Sequence, residues 1–420
     1  MKNDGIPKIF PIKNSSACVF KWSWNTFRVI TGGVSSCHRV KNEYLTSENF
    51  KEKFHNTPEV LNDRKLMLQG LWPKNRGCEY CKNIEDAGGI SDRLYHNGIE
   101  GLTPIDFNQT EYVSPSISEI YIDNTCDLAC VYCQPLYSSK INQEYKQFGS
   151  FSWNTHKIPI EKNKENNLFS KYIEWLTDNS SNLIRLSILG GEPLIQKDFW
   201  TLVELLKTVG HKNLELAINT NLNCDQQTIE RLVEKAKELT VNKNIKFLYV
   251  SGSLDCWGDQ AKFVRYGLSL ENWERNFQYL MKHKWIKLAV HQVITSLTIK
   301  TANELQKRIA EYKKVNPKII QEYHLPDGGS EKVFHPEIFG KSFFAKQLEQ
   351  LVKEFPITSE WDKFSRQRLE GVLKLMNNAE PDHSRLTLFK ETLDAIDFRH
   401  NTDWKKLWPE INDYFNLNNI

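Results

Sequence analysis

The 420-residue chain has no run of about eighteen apolar residues, so no membrane-spanning helix is expected. Its start, MKNDGIPKIFPIKNSSACVF, lacks the charged-then-apolar layout of a secretory signal, and a cytoplasmic location is expected. An excess of charge of either sign is lacking: 55 Lys and Arg against 52 Asp and Glu leave a net charge of +3 at pH 7. That balance neither demands nor excludes nucleic acid, and neither a nucleic-acid nor a membrane partner is expected. There is no Walker loop, no dinucleotide fingerprint, no internal repeat and no low-complexity tract. None of the eleven histidines stands at ligand spacing from another. Finally, the nine cysteines are odd in number and lie in a chain expected to be reduced, which argues against a disulfide framework.

What is present is a concentration of those cysteines. Seven of the nine (Cys18, Cys37, Cys78, Cys81, Cys126, Cys130, Cys133) fall in the first third of the chain, which points to metal. CDLACVYC, residues 126–133, carries three thiols spaced C-x3-C-x2-C. Zinc favours four ligands in a closed tetrahedron. A [4Fe–4S] cluster held by three thiolates keeps one iron open to a small molecule with an amine and a carboxylate. The earlier quartet, C-x13-G-x4-C followed by Cys78-Glu-Tyr-Cys81, supplies a full ligand set for zinc or for [4Fe–4S], and spacing does not choose between them. Cys224 and Cys256 follow strand ends and read as small loop fillers.

From about residue 117 strand-like and helix-like segments alternate. Strands are expected at 118–123, 183–189, 214–220, 245–253, 286–294 and 318–325, and helices at 198–210, 228–240, 270–283 and 301–315, the last with Thr301 as its cap. Six such units predict an α/β fold with a parallel sheet, best drawn as a partial (β/α)6 TIM-type barrel whose reactive residues follow the C-terminal strand ends. The cysteine loop, GGEP, NTNLN and SGSLD fall at those places. Residues 1–112 read as a small N-terminal cysteine-rich cluster domain with a helical patch at 63–72, residues 113–329 as the barrel, and residues 330–420 as a mainly helical C-terminal extension, with helical stretches at 343–355 and 364–378.

The cysteine loop resembles the signature of the radical SAM (S-adenosylmethionine) superfamily, C-x3-C-x-aromatic-C, with Cys126, Cys130, Tyr132 and Cys133 at the matching positions. The resemblance implies a [4Fe–4S] cluster on the three thiols, S-adenosylmethionine as the missing fourth ligand, and Tyr132 packed near the adenine. LGGEP resembles the family segment that holds the methionine amino group, which assigns Gly190, Gly191, Glu192 and Pro193 to the cofactor; a carboxylate and backbone carbonyls are suitable acceptors for an ammonium. Asn221, Ser253 and Asp255 resemble the family's polar contacts to the ribose. Arg265, in Arg-Tyr-Gly, resembles an arginine that pairs with the cofactor carboxylate, a planar partner suited to a guanidinium. VHQVITS, residues 290–296, would support the adenine through main chain. The N-terminal quartet is similar to the first half of a SPASM or twitch auxiliary-cluster domain, and CEYCKNIEDAGGISDR, residues 78–93, to its linker. This implies an auxiliary [4Fe–4S] cluster on Cys18, Cys37, Cys78 and Cys81, with structural zinc as the rival. Such domains usually follow the barrel; here the module precedes it, which puts the usual substrate geometry in doubt.

The chemistry implied is reductive cleavage of S-adenosylmethionine to a 5′-deoxyadenosyl radical that abstracts a substrate hydrogen. A peptide or protein substrate, undergoing oxidation, cross-linking or epimerisation, is the first reading, although no leader-binding domain is evident. The same chemistry on a small metabolite or sugar is the second, and a zinc-containing binding protein the third. A reductase, flavodoxin or ferredoxin is the implied electron donor.

Overall fold

The computed structural model describes residues 16–86, 91–96, 110–154, 167–324 and 330–420. Three expectations fall partly outside these residues: the signal-free start at 1–15, the middle of the 78–93 linker at 87–90, and the end of the sixth strand at Leu325.

Eleven strands follow in chain order: β1 (Trp24–Arg28), β2 (Gly33–Ser35), β3 (Glu43–Tyr44), β4 (Ile117–Tyr121), β5 (Ala129–Cys130), β6 (Arg185–Leu189), β7 (Glu215–Thr220), β8 (Phe247–Ser253), β9 (Arg265–Tyr266), β10 (Lys287–Val293) and β11 (Ile320–His324). The six strands expected from the alternation are β4, β6, β7, β8, β10 and β11, each within a few residues of its expected bounds. The chain divides into two compact units.

The first unit comprises Met1–Asp123, Lys162–Ile218 and Glu234–Leu248. Its strands run in the order β7-β6-β4-β1-β2-β3. The pairs β7–β6, β6–β4 and β4–β1 are parallel, and β1–β2 and β2–β3 antiparallel. Ile117, Ser118, Glu119 and Ile120 of β4 are all buried, as befits a strand covered on both faces. β1 was not foreseen. All five of its residues are buried, so it shows no alternation for a sequence reading to find. Thr26 opposite Glu119 ties the cysteine-rich segment into the same sheet as β4, rather than leaving it apart. The helix Lys197–Val209 matches expectation and ends at Gly210. The helix Pro58–Leu68 begins earlier than the apolar pattern at 63–72, because Thr57 accepts from the Val60 N–H and Pro58 takes the first helical position.

The second unit comprises Asn124–Glu161, Asn219–Val233 and Tyr249–Ile420. Here β8, β10 and β11 lie side by side in parallel, with β10 central, and β5 pairs antiparallel with β9. Helices Leu270–Met281 and Ile299–Val315 match the expected segments. Thr301 is not the cap of the latter: Thr298 holds that position, and Thr301 sits one turn in, its hydroxyl donating to the Trp257 carbonyl at 2.8 Å. The C-terminal extension forms the helices Ala345–Lys353, Glu360–Asn377, His383–His400 and Pro409–Leu417. These helices share one core with the strand segment: Leu348, Leu369, Phe389, Trp404 and Trp408 pack in the same cluster as Ile294, Leu297 and Tyr323. The buried Trp408 indole N–H donates to the Leu297 carbonyl at 3.1 Å, satisfying the polar end of a large apolar side chain.

Candidate functional site

The cysteine loop belongs to the second unit and is shaped by its own backbone bonds. The Cys126 N–H donates to Ser139 Oγ, whose hydroxyl donates back to the Cys126 carbonyl. Ser138 donates to the Leu128 carbonyl at 2.8 Å, and Asn124 to that of Pro135 at 2.8 Å. The Cys133 N–H closes a turn on the Cys130 carbonyl at 2.9 Å. Cys130 lies in β5, opposite Arg265 of β9. Burial, reinforced by repulsion from Cys130, pushes the Cys126 thiol well up. Burial likewise raises Cys130 to about 11, against the pull of Arg265. Cys126 and Cys130, crowded and desolvated, hold their protons at neutral pH unless a cation replaces them, so a donor set of these two with Cys133 fits a thiolate-ligated cluster.

Behind the loop lies a buried ion pair. Arg265 donates two bonds to Asp255, at 2.8 and 3.0 Å, and its guanidinium lies 3.9 Å from Cys130 Sγ. Asp255 also accepts from the Tyr132 hydroxyl at 2.6 Å and the Val293 N–H at 2.9 Å. Burial works against the charged arginine, but Asp255, Tyr132 and Cys130 carry its pKa well above the ordinary value. This arrangement differs from expectation for two residues. Both Asp255 oxygens are engaged by protein donors, so Asp255 does not present a free carboxylate to a ribose. Arg265 meets a carboxylate as expected, but that of Asp255. The bidentate pair instead fixes Tyr132 and sets a positive charge beside Cys130.

Asn221 also holds the loop. Its amide donates to Asp127 at 2.7 Å, and its carbonyl accepts from the Asn223 N–H. Asn223 takes the other Asp127 oxygen at 2.7 Å. Between them, Leu222 adopts a left-handed backbone with φ of 53°, an unusual conformation for a bulky residue held by burial and by Asn276 on its carbonyl. Ser253, at the end of β8, is half-buried and makes no side-chain hydrogen bond among the described residues. Cys224 and Cys256 are buried, in keeping with filler roles. Asp127 and Asn223 were missed, since turn-forming residues at strand ends carry no distinctive spacing.

In the first unit, GGEP closes β6. Gly190 and Gly191 have φ of 88° and 55°. A Cβ on Gly190 would come within 3.1 Å of the Asp123 carbonyl and of Tyr121, so a side chain there is both strained and crowded. Glu192 is buried and accepts from the Leu194 N–H at 3.1 Å, and Pro193 opens the short 3-10 turn that follows. Gln196, absent from the sequence reading, clamps the turn by donating to the carbonyls of Gly190 and Asp123.

The four N-terminal thiols meet in the same unit. Cys18 and Cys78 are buried among Val19, Trp22, Trp24, Met67 and Ile117, with Cys37 packed against them. Burial drives Cys18 well up, and Cys37, Cys78 and Cys81 all add to the shift, which brings the whole quartet within electrostatic reach. Cys78 is pushed up to about 12, chiefly by burial. Beside them, Lys21 is buried and paired with Asp63 at 2.6 Å; burial opposes its charge, but Cys78 and Asp63 raise its pKa above the usual value. A buried ammonium next to four thiols suits an anionic thiolate–metal centre, whether cluster or zinc.

None of the curated proteins matches this chain in sequence. Among solved structures, Streptococcus suis SuiB bound to S-adenosylmethionine aligns at 18% identity over 64% of this chain and 58% of that chain, with a TM-score of 0.38. SuiB bound to the precursor peptide SuiA aligns at 17% over 69% and 61%, also at 0.38. The chain therefore spans about three fifths of those chains. No helix among the described residues is long and apolar enough to cross a membrane. Residues 120–311 match the model of the Radical SAM superfamily.

Proposed function

We propose that the protein is a radical SAM enzyme, built on a partial (β/α)6 barrel, that modifies a peptide or protein by oxidation, cross-linking or epimerisation. In this reading Cys126, Cys130 and Cys133 hold a [4Fe–4S] cluster, with S-adenosylmethionine on its open iron. Gly190, Gly191, Glu192 and Pro193 receive the methionine amino group, Tyr132 supports the adenine, and Asn221 and Ser253 lie toward the ribose. Asp255 and Arg265 act as positioning residues, keeping Tyr132 in place and the charge near Cys130 balanced. When bound, the reduced cluster and S-adenosylmethionine supply a 5′-deoxyadenosyl radical that removes a substrate hydrogen. The chain's own task is to hold the reacting atoms in line and keep water out.

Residues 1–112 serve as a twitch-like module, with an auxiliary [4Fe–4S] cluster on Cys18, Cys37, Cys78 and Cys81. Four protein thiolates leave no open iron, which favours electron transfer over substrate ligation. Residues 113–329 carry the barrel, and the helices of 330–420 extend it. The setting is cytoplasmic, with a reductase, flavodoxin or ferredoxin as donor. The observation that carries the reading is a three-thiol loop backed by the buried Tyr132–Asp255–Arg265 network, with no fourth thiol in the loop.

The test is the Cys126→Ala/Cys130→Ala/Cys133→Ala variant, purified anaerobically. Iron should fall from roughly eight to roughly four per chain, and 5′-deoxyadenosine formation should cease. Undiminished iron, or persistent cleavage, would overturn the assignment. A short precursor-peptide gene beside this one would supply the substrate to assay; turnover of a metabolite but not of that peptide would move the substrate class to small molecules.

A further inference from the structure

The strand register of the second unit assembles a group that sequence spacing does not reveal. β10 and β11 pair in parallel with His291 beside Glu322, and His324 lies two residues further along β11, on the same face as Glu322. One ligand atom from each of the three side chains lies within 4.8 Å of the other two. Glu322 Oε2 is 3.6 Å from His291 Nδ1 and 4.0 Å from His324 Nε2, and the two imidazole rings stack with centroids 4.1 Å apart.

These separations are too long for charge-assisted hydrogen bonds, which run at about 2.7–2.9 Å. They approach the edges of a tetrahedron around an ion bound at about 2.0–2.1 Å, where neighbouring ligand atoms sit roughly 3.3 Å apart. Two further details favour a ligand. The other carboxylate oxygen, Glu322 Oε1, accepts from the Tyr249 hydroxyl of β8 at 2.9 Å, which orients the group and leaves Oε2 turned to the histidines. His324 Nε2 is sealed from solvent and has no hydrogen-bond partner among the described residues, an uncompensated cost that a bound cation would remove.

We propose that His291, Glu322 and His324 form a binding site for one divalent first-row transition metal, zinc or ferrous iron in class, separate from both cysteine sites. Two imidazoles and one carboxylate are the donor set of catalytic zinc and of non-haem ferrous centres, and three protein ligands keep at least one coordination position open. The three side chains are 25–37% exposed.

The experiment is zinc binding to the full chain, purified anaerobically with its cysteine sites filled and its iron counted. Calorimetric titration, with zinc quantified by mass spectrometry after desalting, should give about one zinc per chain beyond any already present. His324→Ala and Glu322→Gln should abolish that event, and Tyr249→Phe should weaken it about tenfold, as the loss of an outer partner does. The Cys126/Cys130/Cys133 alanine variant should retain it, which separates this site from the cluster reading. Unchanged iron content and circular dichroism in the His324 and Glu322 variants exclude a folding artefact. Competition with ferrous iron then identifies the preferred ion. No added zinc in the wild type, or equal uptake by all variants, overturns the proposal and leaves a polar patch of two histidines and a glutamate.

Discussion

At the residue scale, the position with the most consequences is Asp255. It is 1% exposed and satisfies Arg265, Tyr132 and the Val293 N–H at once. Removing one partner of a buried pair leaves the other charge uncompensated, at a cost of about 3–5 kcal/mol. Asp255→Asn should therefore lower the unfolding free energy measured in urea by an amount in that range and loosen Tyr132 and Arg265 beside Cys130. A variant with wild-type stability and wild-type cluster spectra would show that the network does not organise the loop. Cys126, Cys130, Cys133 and Tyr132 could be proposed from the sequence because the motif is local. Asp127, Asn223 and Gln196 were not, because each acts on a residue distant in sequence and their own types are common in turns.

At the element scale, the turns before the thiols do the positioning. Gly77 has φ of 102°, and a Cβ there would lie 1.9 Å from the Arg39 carbonyl, so the backbone must approach closely just before Cys78. If the proposed two clusters are present, Gly77→Ala is expected to displace Cys78 and the helix Glu79–Asp86, taking iron from roughly eight to roughly four per chain and leaving the proposed S-adenosylmethionine cleavage at the three-cysteine loop in place. Full iron retention would show that the turn tolerates the change, and loss of all iron would show that the two thiol groups are not independent. The six strands that alternate with helices were readable from periodicity, whereas β1 was not. Its five residues are buried on both faces, and β2 and β3 are too short for a pattern. The Thr301 cap was misread because helix Ile299–Val315 starts two residues earlier, where apolar spacing gives no boundary.

At the scale of the whole molecule, stability should fall with acid in a way that one buried histidine helps to set. His55 is 4% exposed, and burial, with Arg64 adding to it, holds its pKa well below 6.5. Below pH 6.5 the unfolded chain binds a proton there that the folded chain refuses. The stability is therefore complete above that pH and is lost as the pH falls, by up to about 1.4 kcal/mol per pH unit. Between pH 7.0 and 5.5 the wild type should lose about 1 kcal/mol more than His55→Gln in urea unfolding, and equal losses would remove His55 from the account.

The sequence by itself supplied the motifs on which the proposed chemistry rests. Three thiols in eight residues, a glycine-rich turn after the next strand and a regular alternation of elements are all short-range patterns, and short-range patterns survive in one dimension. Only the tertiary structure decided which side chains work together. Asp255 finds Arg265 across ten residues, Asn221 finds Asp127 across ninety-four, and Glu322 meets His291 because two parallel strands align them across thirty-one. Strand pairing fixes such neighbours through hydrogen-bond register, a property of the folded sheet that no spacing along the chain encodes.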